Sequence, residues 1–480
     1  MEKNILLNLI KGTLQVKSLV LGIGVGALLL TSCAQDGYED ETFNSGVFGA
    51  QLENPSVDDI TIKASDTNDM TIISWPVVYG ASGYECQVLD VTDEVAPVVL
   101  LDSLVDGCTV TVPRAEETNY QLSLKVIGNK KNNNQDAPAA TVIAFNTFVA
   151  SFATIPAGTD LYAYFANNEI PEEAVYDLEA GGNYTVSDAL DFGCHKVTLR
   201  TANKQNHAKI KYTNGNSALI FGDSFGLKYI DFDCSASEVP AFQLSKEPNE
   251  AIKGIVSGDN AYYDFKDPST ISGCNIEGVN DKIIYDNKQK YGLGALVIQD
   301  CVIHLTTIKD LDNGFDFYGG GVVSFTMKNS TMYNTGNGNI SYLLRYSNNA
   351  RCDRMGYTTN NITYENCTFY NVAKTGQWGN YSGLNSRNTS NFIMTSNIFV
   401  DCSSNAVARR FVGGNVGNSI ATFKNNTYMY DGAFEENEAY DQSGTQVKSN
   451  PQFRAPQNGD FTVGGPDQIA LGMGDPRWLP

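Results

Sequence analysis

A six-residue pattern that recurs six times governs what the C-terminal part of this chain can fold into. ISGCNI begins at Ile271, IQDCVI at Ile298, MKNSTM at Met327, YENCTF at Tyr364, MTSNIF at Met394 and FKNNTY at Phe423. Successive starts lie 27, 29, 37, 30 and 29 residues apart, with weaker relatives upstream at Val197–Leu199 and Tyr229–Cys234. A strand sends alternate side chains to opposite faces. In the second unit Leu296 and Ile298 share one parity, whereas Cys301, Ile303 and Leu305 share the other. The inward face therefore slips between Ile298 and Cys301, and the chain must turn there. The residue just before the new parity is Gly273, Asp300, Asn329, Asn366, Ser396 or Asn425. Gly, Asn and Asp are the types that tolerate the left-handed backbone of a sharp corner. Each unit reads as strand, corner, strand. Stacked at a near-constant period, such units form a right-handed parallel β-helix.

Cys274, Cys301 and Cys367 then share one inward column with Ser330, Asn397 and Asn426. Small polar residues alternate with thiols there, so the column reads as a stack of small side chains at a tight corner, not a metal ladder. Disulfides within the stack stay open at this stage, because stacked coils bring Cα atoms near bonding range. There are 10 cysteines and 3 histidines, and no CxxC or HExxH spacing, so a zinc site is not expected.

Residues 54–150 follow a different pattern. GYECQV from Gly83 and YQLSLKV from Tyr120 alternate strictly, and turn residues break the runs. Short alternating strands at such intervals predict a β-sandwich. The stretch resembles a fibronectin type III domain. The resemblance makes Trp75 the core tryptophan of an early strand, places Tyr84 in a central strand and puts Tyr120 at the tyrosine corner. Such a domain reads as a spacer.

Lys3, Lys11 and Lys17 precede an apolar run from Leu19 to Leu30, which ends in Thr31-Ser32-Cys33. This is the layout of a secretory signal over residues 1–32 with lipidation at Cys33. The run is too short to span a bilayer. Residues 33–53 form an acidic tether, whose AQDGYEDET start resembles the surface-export signal of Bacteroidota lipoproteins. The formal charge of −21 becomes −23 once the signal is removed, and such a field repels nucleic acid.

Phe192–Leu199 (FGCHKVTL), Leu227–Ser235 (LKYIDFDCS), Asn371–Gly383 (NVAKTGQWGNYSG) and the terminal GDPRW at Gly474–Trp478 resemble uncharacterised pectate-lyase-like β-helix lipoproteins of Bacteroidota. The resemblance implies an all-β chain, with a fibronectin-like domain over 54–150 and the β-helix over 151–480. It also implies lipid anchorage at the cell surface on the outer membrane, among glycan-utilisation proteins and their import machinery.

Charge supplies the site expectation. Ser341–Arg410 holds seven cations (Arg345, Arg351, Arg354, Lys374, Arg387, Arg409, Arg410) against Asp353, Glu365 and Asp401, a net +4 on a strongly acidic protein. Such an island attracts an anionic ligand, and the arginine fork suits carboxylate or sulfate. Interleaved aromatics offer faces for sugar rings. The expected glycan-binding set is Arg345, Tyr346, Arg354, Trp378, Tyr381, Arg387, Arg409 and Arg410. The long interval from Met327 to Tyr364 is expected to project Asn334–Tyr357 as a loop. Gly319-Gly320-Gly321 reads as a flexible corner. The function expected is non-catalytic binding of an anionic, pectin-like polysaccharide, with no cofactor. The alternative on the same face is a Ca²⁺-dependent polysaccharide lyase, with Arg345, Arg409 or Arg410 as base and Asp312 with Asp316 holding the ion. A structural adhesin without a glycan site is the third reading.

Overall fold

The computed structural model describes residues 46–65, 70–93, 96–115, 117–201, 203–257, 260–306, 311–346, 359–380, 388–404, 406–412, 419–434 and 440–480. The chain divides into two compact units that meet between Phe148 and Val149. No helix among the described residues is long and apolar enough to cross a membrane.

The N-terminal unit is built from antiparallel strands. Thr61–Ala64, Met70–Ser74 and Thr109–Pro113 form one sheet. Val98–Val105, Ala81–Asp90, Asn119–Gly128 and Thr141–Asn146 lie side by side, in that order, in a second. Strand Asn119–Gly128 alternates strictly between buried and part-exposed residues, as its sequence pattern requires. Trp75 and Tyr84 meet edge to face at 5.4 Å in the core. The Tyr120 hydroxyl accepts the Ala115 N–H at 2.8 Å, so its ring ties a strand to the backbone five residues upstream.

The C-terminal unit is a parallel β-helix. Three parallel sheets build it, and coil after coil adds one strand to each in turn until, among the described residues, the third sheet ends at Gln377–Asn380, beyond which the other two continue. One coil runs through Tyr291–Gln299, Val302–Leu305 and Leu311–Phe317. The next runs through Gly321–Lys328, Thr331–Asn334 and Ile340–Tyr346, pairing in register with the first in all three sheets. Two departures are antiparallel: the hairpin Lys253–Ser257 with Asn260–Phe265, and the terminal pair Thr427–Tyr430 with Ala433–Phe434.

The corners are left-handed at every position the parity slip marked. Gly273 (φ 63°), Asp300 (55°), Asn329 (47°), Asn366 (50°), Ser396 (56°) and Asn425 (52°) all occupy that region. The corner does not break the hydrogen-bond ladder. Asp300 N–H donates forward to Lys328 O (3.1 Å), and Val302 N–H, two residues on, donates back to Cys274 O (3.0 Å). The same alternation recurs at Asn329 with Thr331 and at Asn366 with Thr368.

The inward column is fully buried: Cys274, Cys301, Ser330, Cys367, Asn397 and Asn426 are each 0% exposed. Its polar members have a specific task. Ser330 Oγ accepts Cys301 N–H (3.1 Å), Asn397 Oδ1 accepts Cys367 N–H (2.9 Å) and Asn426 Oδ1 accepts Asn397 N–H (3.1 Å). Each therefore satisfies a buried backbone donor that would otherwise be costly to orphan. The eight cysteines among the described residues are unpaired thiols, and Cys274, Cys301 and Cys367 donate to backbone carbonyls.

Helix Leu161–Asn167 packs Leu161 and Phe165 onto the first coil, with Phe165 edge-on to Tyr176 at 4.9 Å. At the other end the chain returns over the outer face of the second sheet. Asp475 accepts the Thr331 hydroxyl (2.8 Å), its N–H donates to Thr368 Oγ1 (3.0 Å), and Trp478 Nε1 donates to Thr331 Oγ1 (2.7 Å).

A β-branched side chain is strained in the left-handed region. Replacing Asn329 by Val is expected to destabilise the β-helix by about 1–3 kcal/mol relative to Asn329→Gly. Thermal unfolding followed by circular dichroism checks the order of the two variants.

Candidate functional site

Strands Ile284–Tyr285, Leu311–Phe317, Ile340–Tyr346 and Gln377–Asn380 are consecutive members of the third sheet. Their register aligns Tyr285, Asp316, Arg345 and Asn380 in one row across four coils. Ile284, Phe315, Leu344 and Tyr346 turn into the core, so alternation sends Arg345 outward from a rigid wall. The Arg345 guanidinium lies 4.5 Å from the ring centre of Tyr318, which is 44% exposed. Lys288 Nζ lies 5.8 Å from the same ring. Tyr318 thus carries two cations over one part-exposed aromatic ring.

Two carboxylates lie within this wall. Asp316 is buried, and Asn313 Nδ2 donates to it at 2.9 Å. Asp286 is fully buried and accepts three backbone N–H groups, from Lys288 (2.9 Å), Gly319 (2.7 Å) and Gly320 (3.0 Å). Burial pushes Asp286 up to about 7 against those hydrogen bonds, and the charge of Asp316 adds to the rise. The Tyr285 phenol is raised by burial, then by Asp286, Asp316 and Asp281, and is opposed by Arg345. Among the described residues no group of three His, Cys, Asp or Glu side chains converges to hold a metal ion.

The structure sorts the expected residues. Arg345 is on the face. Tyr346 is 1% exposed and packs near Phe317, so it is a core residue and no sugar platform. Trp378 is 0% exposed and edge-on to Phe369 at 4.8 Å and Phe399 at 5.2 Å, so it too belongs to the core. Arg409 and Arg410 open a single helical turn, Arg409–Val412, and Arg410 Nε donates to Gly379 O, beside Asn380 of the row. Lys374 is drawn away to Asp401 (3.2 Å) and Asp431 (2.8 Å). Arg354, Tyr381, Arg387 and Cys33 lie outside the described residues, as does the side chain of Asp312. Ile340–Tyr346 is a strand of the third sheet, which corrects the expectation that all of Asn334–Tyr357 projects as a loop. The Gly319–Gly320 corner is clamped, not flexible: a Cβ there would lie 2.1 Å from Gln289 O and 1.8 Å from Tyr291 O. Sequence reasoning missed Tyr318 and Lys288. The only signal for Tyr318 was its place two residues after Asp316, one coil before Arg345.

Three family models match the chain, each described as a domain of unknown function: DUF4992 over residues 11–189, DUF4957 over 182–335 and DUF5123 over 362–478. No curated protein matches. Among solved structures, the chain is similar to pectate lyase PelI from Erwinia chrysanthemi in complex with tetragalacturonic acid. That likeness has 11% identity and a TM-score of 0.20, covering 66% of this chain and 84% of that one. It is also similar to pectate lyase Pel3 from Pectobacterium carotovorum, at 12% identity and a TM-score of 0.18, covering 85% and 96%. These are distant likenesses, and the parallel β-helix stands on the strand pairing itself.

Two outcomes test this geometry. Trp378→Ala is expected to destabilise the β-helix by about 3–5 kcal/mol, as removal of a packed aromatic does. A thermal melt that Trp378→Ala leaves unchanged would contradict its placement. Asp286 has a folded value near 7 and an unfolded value near 4. Its destabilising contribution is absent below pH ~4, grows as pH rises and is complete above pH ~7. Stability lost between pH 5 and pH 8 is therefore expected to shrink in Asp286→Asn, measured by denaturant unfolding at both pH values.

Proposed function

We propose that the third-sheet face around Arg345, Tyr318 and Lys288 binds an anionic polysaccharide of the polyuronate kind and does not cleave it. The observation that carries this reading is the stacking of Arg345 on an exposed tyrosine, with a second cation at the same ring. A sugar ring laid on Tyr318 would bring its carboxylate to the guanidinium edge. Stacked strands repeat about every 4.8 Å, so Tyr285 and Asn380, in the same row as Arg345 on neighbouring coils, are offered to the next sugars of a chain. Binding without cleavage is supported by the state of the carboxylates, since Asp286 and Asp316 are buried and hydrogen-bonded. In the alternative lyase, Arg345, Arg409 or Arg410 would be the base and Asp312 with Asp316 the Ca²⁺ ligands; the burial of Asp316 weighs against that pair.

In the same reading Cys33 carries lipid, and the protein stands on the outer membrane at the cell surface, beside glycan-import machinery. The N-terminal unit is a spacer of the fibronectin type III kind. Its sheet order and the Tyr120 hydrogen bond support that assignment. The hand of the coil is right-handed, by the general preference of parallel crossovers.

Electrophoresis through gels holding polygalacturonate tests the site. The wild-type protein should be retarded, less so at high salt. Arg345→Ala and Tyr318→Ala should each weaken retardation about tenfold with unchanged melting. No absorbance from unsaturated uronate should develop with Ca²⁺ present. Variants that migrate as wild type would refute the site, and rising absorbance would favour the lyase.

A further inference from the structure

We infer that Asp286 is the positioning residue of this face, its buried carboxylate locking the turn that carries Lys288 to the turn that carries Tyr318. The inference rests on the binding reading above and adds a residue that touches no ligand.

Asp286 directly follows strand Ile284–Tyr285 and is 0% exposed. A buried carboxylate is expensive unless its oxygens are satisfied. Here one oxygen accepts Lys288 N–H from its own turn. The other accepts Gly319 and Gly320 N–H from the turn one coil along. A carboxylate is needed for this because it accepts on both oxygens at once. Asp316 adds like-charge repulsion to the cost of burial, and its backbone carbonyl accepts Asp286 N–H at 3.0 Å.

The turn it holds is strained. Asn287 (φ 51°) and Lys288 (φ 61°) are consecutive left-handed residues, and neither is glycine. Such strain persists only where surrounding structure over-determines it, and it gathers at binding and catalytic sites. Asn287 is held by the previous coil, donating to Gln243 Oε1 (3.1 Å) and Leu244 O (2.7 Å). On the next coil, the glycines at 319 and 320 let backbone lie directly on backbone. Three successive coils are thus joined through Asn287 and Asp286 at the point where Lys288 and Tyr318 emerge. The corners between the first and second strands of each coil turn on a single left-handed residue, whereas this turn uses two in succession and adds the buried Asp286. What this arrangement accomplishes is a fixed Lys288–Tyr318 spacing before any ligand arrives, which spares binding the cost of ordering both side chains' turns.

The test uses the full chain and two readouts. Calorimetric titration with oligogalacturonate compares wild type, Asp286→Ala, Asp286→Asn, Lys288→Ala and the Asp286→Ala/Lys288→Ala double variant. Asp286→Ala should weaken binding about tenfold, and Asp286→Asn, which keeps one acceptor oxygen, should recover part of that loss. Lys288→Ala should matter less when Asp286 is already absent, because an unlocked lysine contributes little. Hydrogen exchange of the Gly319 and Gly320 amides, measured without ligand, should rise at least tenfold in Asp286→Asn, which serves also if Asp286→Ala fails to fold. Additive effects of the Asp286 and Lys288 substitutions, or unchanged exchange, would overturn the lock. A wild-type protein that binds no oligogalacturonate while exchange still rises would overturn the binding reading and leave the lock standing.

Discussion

The left-handed corner between the first and second strands of each coil is the constraint on which this molecule depends. It lets the chain turn sharply while its N–H groups keep pairing with the coils above and below. Without it, the parity slip between Ile298 and Cys301 would turn apolar side chains outward and leave buried donors unpaired. With it, successive coils stay in register in all three sheets, so a side chain chosen on one coil has a fixed neighbour on the next. Arg345 meets Tyr318 because register is maintained across that distance from the corners.

Much of this was legible because the corner has a local chemical signature. A run of Asp, Asn, Gly and Ser at one phase of the repeat located all six left-handed positions, and the inward column followed from the same phase. The third strand of each coil carries no such punctuation. It lies past loops of uneven length, so Ile340–Tyr346 looked like part of an insertion. Trp378 and Tyr346 were misplaced for a related reason. A lone aromatic beside glycine or arginine does not reveal which way it points until its strand is known, and both point inward. Tyr318 and Lys288 sit in turns whose shape is set by backbone contact between coils and by one buried carboxylate, and no periodicity encodes that.

The charge island also resolves into parts with different fates. Arg345 faces outward from the third sheet, and Arg410 reaches that sheet's Gly379 carbonyl. Lys374 is neutralised by two aspartates. Coils distribute neighbours in sequence around the circumference, so the described cations of the island meet different partners. What concentrates the field is the pairing of Arg345 and Lys288, 57 positions apart in the chain, around one ring.

A crystal structure of the protein with a bound oligogalacturonate would test the central claim most directly. The account predicts a sugar ring over the Tyr318 face with its carboxylate paired to Arg345 and the chain crossing the third sheet. Ligand seated on the first or second sheet or on the N-terminal unit, with the Tyr318 face empty, would contradict it.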